Sequence, residues 1–398
     1  MTAQSTTPAA SPAGPPWRDR KRYAWLLGLA VPTLPFQAAA LVAVSDWQVL
    51  WWWGPFFAFV IIPLLDALIG PDQANPPDEA IPLLQEDRYY RWCTYLYLPL
   101  QYAGLLYACV LWSGGMSVPD ALGLAATVGV VAGVAINTAH ELGHKRETVE
   151  RRLARLALAQ SAYGHFYVEH NHGHHIRVAT PEDPASSRLG ESLWAFLPRT
   201  VAGSVRSAWH LEARRLNRRR HRTWSYRNDV LTAWGLTVLM FAALTIGFGP
   251  VILPYLLVQA ACGMVLLETV NYLEHYGLLR ERRPDGRHER VAPRHSWNSN
   301  NTTSNIFLYQ LQRHSDHHAN PLRRYQTLRH FDEAPQLPSG YASMIVLAWV
   351  TPVWRRVMDP KVLAHYGGDV RRANVHPRRA SRYGAQLGDA HGELSGRG

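Results

Sequence analysis

Nine of the nineteen histidines in this chain fall into four tight groups whose spacing is that of metal ligands. His140 and His144 stand in Asn137-Thr-Ala-His-Glu-Leu-Gly-His-Lys145, and His170, His174 and His175 in Glu169-His-Asn-His-Gly-His-His175. His275 stands in Asn271-Tyr-Leu-Glu-His-Tyr-Gly277, and His314, His317 and His318 in His314-Ser-Asp-His-His318. Residues i and i+4 share a helix face, so His140 and His144 can grip one ion or two adjacent ones. By the same rule His170 and His174 align while His175 points elsewhere, toward a second ion. The other ten, His165, His172, His210, His221, His288, His295, His330, His365, His376 and His391, are assigned ordinary structural roles.

His140-Glu141-x-x-His144 taken alone matches the HExxH pattern of zinc hydrolases, with Glu141 as general base. A mononuclear zinc site takes about three protein ligands, which leaves the other groups unexplained. Nine imidazoles suit two ions with about four or five ligands each, and imidazole binds iron as well as zinc or copper. Cys93, Cys109 and Cys262 lie at or inside apolar stretches without CxxC spacing, so a four-cysteine iron site is excluded. A non-haem di-iron centre is the preferred reading. Ligand histidines hand their second ring nitrogen to a carboxylate or carbonyl. Glu141, Glu169, Glu274 and Asp316 lie inside the groups and are expected in that role, with Asp183 a weaker addition.

The elements that must converge these groups are long apolar blocks. A helix of about 20 apolar residues crosses a bilayer, and six such stretches are present: 25–44, 49–69, 95–112, 119–139, 230–248 and 250–270. The mean hydropathy of -0.17 conceals them because the intervening regions are strongly polar. Arg18, Arg20, Lys21 and Arg22 before the first span place the N-terminus in the cytoplasm. Short uncharged outer turns after spans one, three and five return both termini there. The first histidine group then follows the fourth span and the third ends the sixth, on one membrane face. The net charge of +11 is read as cytoplasmic loop charge facing anionic lipid; no nucleic-acid module is visible. Residues 1–22 read as a disordered cytoplasmic arm, 23–377 as the membrane domain and 378–398 as a disordered tail. Tyr341 to Trp354 is too short to span and reads as an interfacial or re-entrant element. The expected fold is all-α: six membrane helices and a cytoplasmic helical cap holding the site.

From the first span to Pro377 the chain resembles the membrane-bound alkane 1-monooxygenases, within the histidine-box superfamily of membrane desaturases and xylene monooxygenase. His-Glu-Leu-Gly-His-Lys145, Glu-His-Asn-His-Gly-His-His175, Asn-Tyr-Leu-Glu-His-Tyr-Gly-Leu278 and Leu-Gln-Arg-His-Ser-Asp-His-His-Ala319 each match a box of that family. Desaturases typically carry HxxHH as the second box, whereas His170 and the His174-His175 pair are spaced HxxxHH. The resemblance implies that all nine histidines ligate two irons, with O2 as co-substrate. It also implies a separate rubredoxin, reduced by an NAD(P)H-dependent reductase, because inserting one oxygen atom into a C–H bond and reducing the other to water takes two external electrons. The arginines at 214, 215, 218, 219 and 220 would steer such an acidic partner or contact lipid headgroups. An alkane offers no polar handle, so an apolar channel must select it. In the resembling family, bulk on the second membrane helix limits chain length. The matching position, counted back from Pro63-Leu-Leu-Asp66, is Ala58, flanked by Phe57 and Phe59. A small residue there implies medium-to-long alkanes, oxidised to primary alcohols at a bacterial-type inner membrane. A desaturase or aromatic methyl hydroxylase shares the metal site, and a membrane zinc protease is the alternative of different class. A receptor or transporter gives no reason for nine convergent histidines.

Overall fold

The computed structural model describes residues 17–381 and Tyr383. Among these there is no β-strand, only isolated bridges between loop residues. Five helices are long and apolar enough to cross a bilayer: Gln48–Ile69, Arg88–Ser113, Val118–Gly143, Asp229–Phe248 and Pro250–His275. The expected first span, 25–44, is not one straight helix. It comprises Ala24–Ala30 and Leu34–Ser45, bent by 67°. Pro32 lies in the break and Pro35 in the next turn, and neither has an N–H to carry a helix through. Counted as a broken span it brings the total to six, and the chain is a multi-pass membrane protein.

The span starts are capped where the sequence provides a cap. Ser117 accepts from the Asp120 N–H ahead of the fourth span, and the Asn228 side chain accepts from the Val230 and Leu231 N–H groups ahead of the fifth. These bonds satisfy donors that the first helical turn leaves free.

The fourth span is the axis of the bundle and is buried along nearly its whole length. It packs against the sixth through small residues. A Cβ added to Gly263 would stand 2.8 Å from the Ala132 Cβ, and one added to Gly133 would stand 3.1 Å from the Leu266 Cβ. Without much hydrophobic drive between helices in lipid, such close backbone approach is what van der Waals packing requires. The two spans carry His140 and His275 in their last turns.

Around those ends sit helices Thr148–Ala159 and Leu193–Arg218, the histidine-bearing segments, and helices Tyr341–Trp349 and Thr351–His365. The 341–354 stretch is thus two helices parted at Val350, and Tyr341, Met344 and Ile345 are buried in the core. Two parts of the expected disordered ends are instead ordered. Asp19 accepts from Trp25 Nε1 at 3.1 Å and from the Tyr90 hydroxyl at 2.8 Å, and Lys21 pairs with Asp72 at 2.7 Å. At the other end the Tyr383 hydroxyl donates to Asp359 at 2.6 Å. Residues 1–16, 382 and 384–398, the remainder of the expected arm and tail, lie outside the described residues.

Asp66, 1 % exposed in the second span, accepts from the Ser304 N–H at 2.9 Å and its hydroxyl at 2.5 Å. This staple ties the membrane bundle to helix Thr302–Phe307. Asp66→Ala strands both donors and should cost about 1–3 kcal/mol, read as a lowered thermal unfolding midpoint of the purified protein.

Candidate metal centre

All nine histidines of the four groups meet in one buried cluster that divides into two sets. His140, His144, His170, His175 and His317 form the first, and His174, His275, His314 and His318 the second. Within each set the ligand atoms lie within 4.8 Å of one another. The Nε2 atoms face inward: His140 to His317 at 2.8 Å, His170 to His175 at 3.0 Å, His175 to His317 at 3.1 Å, His314 to His318 at 2.8 Å and His275 to His314 at 3.2 Å. The sets abut, with the His175 and His318 rings 4.4 Å apart.

The second box divides differently from the i, i+4 expectation. His170 and His175 share the first set, and His174 joins the other. The cause is local: His170–His174 is a π turn, whose bonds run from i to i+5, so residues five apart face the same way. Gly173 lies under the Glu169–Arg177 pair, where a Cβ would stand 2.5 Å from Glu169 Oε2 and 2.6 Å from the Arg177 guanidinium.

A cluster of this kind is costly as bare protein. A neutral imidazole has one N–H and one lone pair, so inward-facing nitrogens cannot all be satisfied by one another. His144 Nε2 and His174 Nε2 are buried with no hydrogen-bond partner. Burial holds His144, His170, His175, His314, His317 and His318 well below the usual histidine range, so these rings are neutral. Converging imidazole lone pairs are a donor set suited to transition metal.

The outer partners are only in part the expected ones. His174 Nδ1 donates to Asp183 at 2.9 Å, and Asp183 also accepts from the Ser186 hydroxyl at 2.6 Å. His275 Nδ1 meets the His295 carbonyl at 3.3 Å. Glu141 faces away from the rings, accepting from Lys145 at 3.0 Å and the Tyr325 N–H at 3.2 Å. Glu169 pairs with Arg177 at 2.7 Å, and burial pushes its carboxyl up to about 7. Asp316 accepts from Arg323 and from the Arg329 N–H. Glu274 lies 3.1 Å from His314 Nε2, on the inward nitrogen rather than behind the ring. Of the other ten histidines, His165 bonds Ser204, His295 bonds Glu289 and His172 is exposed. His391 lies outside the described residues.

The segments that carry the histidines also enclose a narrow cavity of about 80 Å3, lined almost wholly by apolar side chains. Phe57, Ala58 and Phe59 line it together with residues the sequence did not single out, among them Phe307, Leu311 and Ile345. Three of its walls continue into ligands. Gly133 to Asn137 leads to His140, Leu266 to Val270 leads to His275, and Phe307 to Leu311 leads to His314.

An all-helical membrane bundle whose spans deliver clustered histidines to one end is the architecture of the histidine-box enzymes, and the fatty acid desaturase family profile matches residues 117–348. The chain is 46 % identical over 374 residues to the alkane 1-monooxygenase of Acinetobacter baylyi, covering 93 % of this chain and 92 % of that one. It is 45 % identical over 365 residues to the alkane 1-monooxygenase of Ectopseudomonas oleovorans, covering 91 % of each. The xylene/toluene monooxygenase hydroxylase component of Pseudomonas putida is more distant, 25 % identical over 64 % of this chain and 63 % of that one. The chain belongs to the alkane 1-monooxygenase family.

Because Asp183 fixes the orientation of His174, Asp183→Asn should weaken metal retention by the second set about 10- to 100-fold. Metal analysis after graded chelation should show metal released at a lower chelator concentration than from the parent.

Proposed function

We propose that the chain hydroxylates the terminal carbon of medium-to-long alkanes to primary alcohols, using O2 at a di-iron centre held by the nine histidines. The observation that carries this reading is an almost wholly apolar cavity whose walls continue along the chain into two sets of five and four clustered imidazoles. Bound there, an iron pair supplies O2 activation. The chain's own residues do the rest. His140, His144, His170, His175 and His317 would hold one iron, and His174, His275, His314 and His318 the other. The cavity walls select substrate by shape and keep water from the reacting carbon, since a hydrocarbon offers nothing to hydrogen-bond. Asn137 and Ser304 are its polar members, and both are engaged, Asn137 with the Leu308 carbonyl and Ser304 with Asp66.

The electrons come from a separate rubredoxin and its NAD(P)H-dependent reductase, with the histidine end of the bundle and both termini in the cytoplasm of a bacterial-type inner membrane. Arg215 is committed to Glu212 and Asp229, whereas Arg214, Arg218, Arg219 and Arg220 are exposed, without a carboxylate partner among the described residues, and would steer an acidic donor. The zinc-hydrolase reading lacks its base: Glu141 is bound to Lys145 and Tyr325 and does not face the imidazoles.

Metal analysis of the purified protein, paired with turnover of octane and hexadecane with rubredoxin, reductase and NADH, tests the reading. About two irons per chain, the count that nine imidazole ligands imply, with O2-dependent 1-alcohol is the expected result. One zinc without alcohol would overturn it, and an alkene product would move it to a desaturase. Ala58→Trp should shift the preference from hexadecane toward octane by about tenfold or more, and an unchanged profile would remove Ala58 from the channel.

A further inference from the structure

The second span is not a uniform α-helix. Between the α-helical segments Trp53–Phe56 and Ile62–Ile69 it opens into a π turn, Phe57–Ile61, with the Ile62 N–H bonded to the Phe57 carbonyl. The sequence contains a cause. Pro63 has no N–H to offer the Phe59 carbonyl four residues back, and its ring crowds that carbonyl. Successive α-helical residues point about 100° apart, so three in a row cannot all face one narrow space. Phe57, Ala58 and Phe59 nevertheless all line the cavity, and the widened turn is what brings them there.

Two aromatic side chains from other elements hold the turn in place. Phe307, itself a cavity wall, meets Phe57 edge to face with ring centroids 5.3 Å apart. Trp349 meets Phe59 in the same manner at 4.9 Å, and its carbonyl accepts from Trp194 Nε1 at 3.0 Å. Phe307 lies at the end of the helix that Asp66 staples, and Trp349 ends the helix whose Ala342 and Ile345 complete the cavity. Edge-to-face pairs of this geometry have a preferred orientation that aliphatic contacts lack.

We propose that Phe307 and Trp349 determine chain-length specificity, by clamping the π turn so that Phe57 and Phe59 close the cavity at a fixed depth. Phe307 acts as a wall of the site, and Trp349 is a positioning residue acting through Phe59. The inference rests on the cavity being the hydrocarbon site. It differs from a limit set by the size of residue 58 alone, because it places the control on two residues outside the second span.

Phe307→Leu and Trp349→Leu keep an apolar side chain at each position and remove the aromatic edge. Each variant should retain the parent's metal content while the hexadecane-to-octane ratio of kcat/KM rises about tenfold, with the change in KM rather than kcat. A ratio unchanged in both variants at full metal content would overturn the proposal, as would a uniform fall in kcat for both substrates. Ala58→Trp separates the two levels of the argument. If it shifts the ratio and neither leucine variant does, the clamp fails and the channel stands; if none of the three shifts it, the channel reading itself fails.

Discussion

Nine imidazoles crowded against one another in the interior are the constraint on which the rest of this molecule depends. Left to themselves they would separate or solvate, and the scaffold prevents both. The close contact of the fourth and sixth spans through Gly133, Ala132 and Gly263 fixes His140 and His275 from the membrane side. The last box is held from the opposite side by charge. Arg313, 1 % exposed and next to His314, donates to the carbonyls of Asp72, Ala74 and Leu328, and burial draws it down to about 10. Arg324 binds Glu150 at 2.8 Å and Glu147 at 2.9 Å, and Arg323 binds Asp316. Cations tied to several acceptors fix the loops that carry them, and for Arg313 the acceptors offset only part of the desolvation.

The two π turns have a common logic. In both places the chain needs neighbouring residues to reach directions that a regular α-helix would not allow. At His170–His174 the turn sends His170 and His175 to one set and His174 to the other; at Phe57–Ile61 it presents three consecutive residues to one cavity. Both coincide with the parts of the structure to which chemistry is assigned here.

Much of this was legible in advance, for physical reasons that also mark where legibility ends. Runs of apolar residues have the length a bilayer demands, so the spans could be read, and Pro32 and Pro35 were in plain view at the bend. The histidine groups could be read because ligands on one helix must recur at short intervals. Their division into sets could not, because a π turn leaves no periodic signature in a segment as short as His170 to His174. The carboxylates inside the boxes misled for a related reason. Glu141, Glu169 and Asp316 are close to histidines in sequence but point to other sides of the backbone, where Lys145, Arg177 and Arg323 take them up. Asp183, named from the sequence only as an addition to these, reaches His174 through an irregular loop, whereas Phe307 and Ile345 reach the cavity by tertiary packing, which no local pattern encodes.

The interleaving of the two sets bears on how the protein is made. His140 to His175 supply four members of the first set and one of the second, but the first is completed only by His317 and the second only by His314 and His318. During synthesis neither nest exists until the ribosome has passed residue 318, by which time all the spans have been translated. The nascent chain therefore offers no finished pocket in which a stray cation could be trapped early. Acquisition of metal is thereby tied to completion of the whole polypeptide, and a chain truncated before its last box would carry neither nest intact.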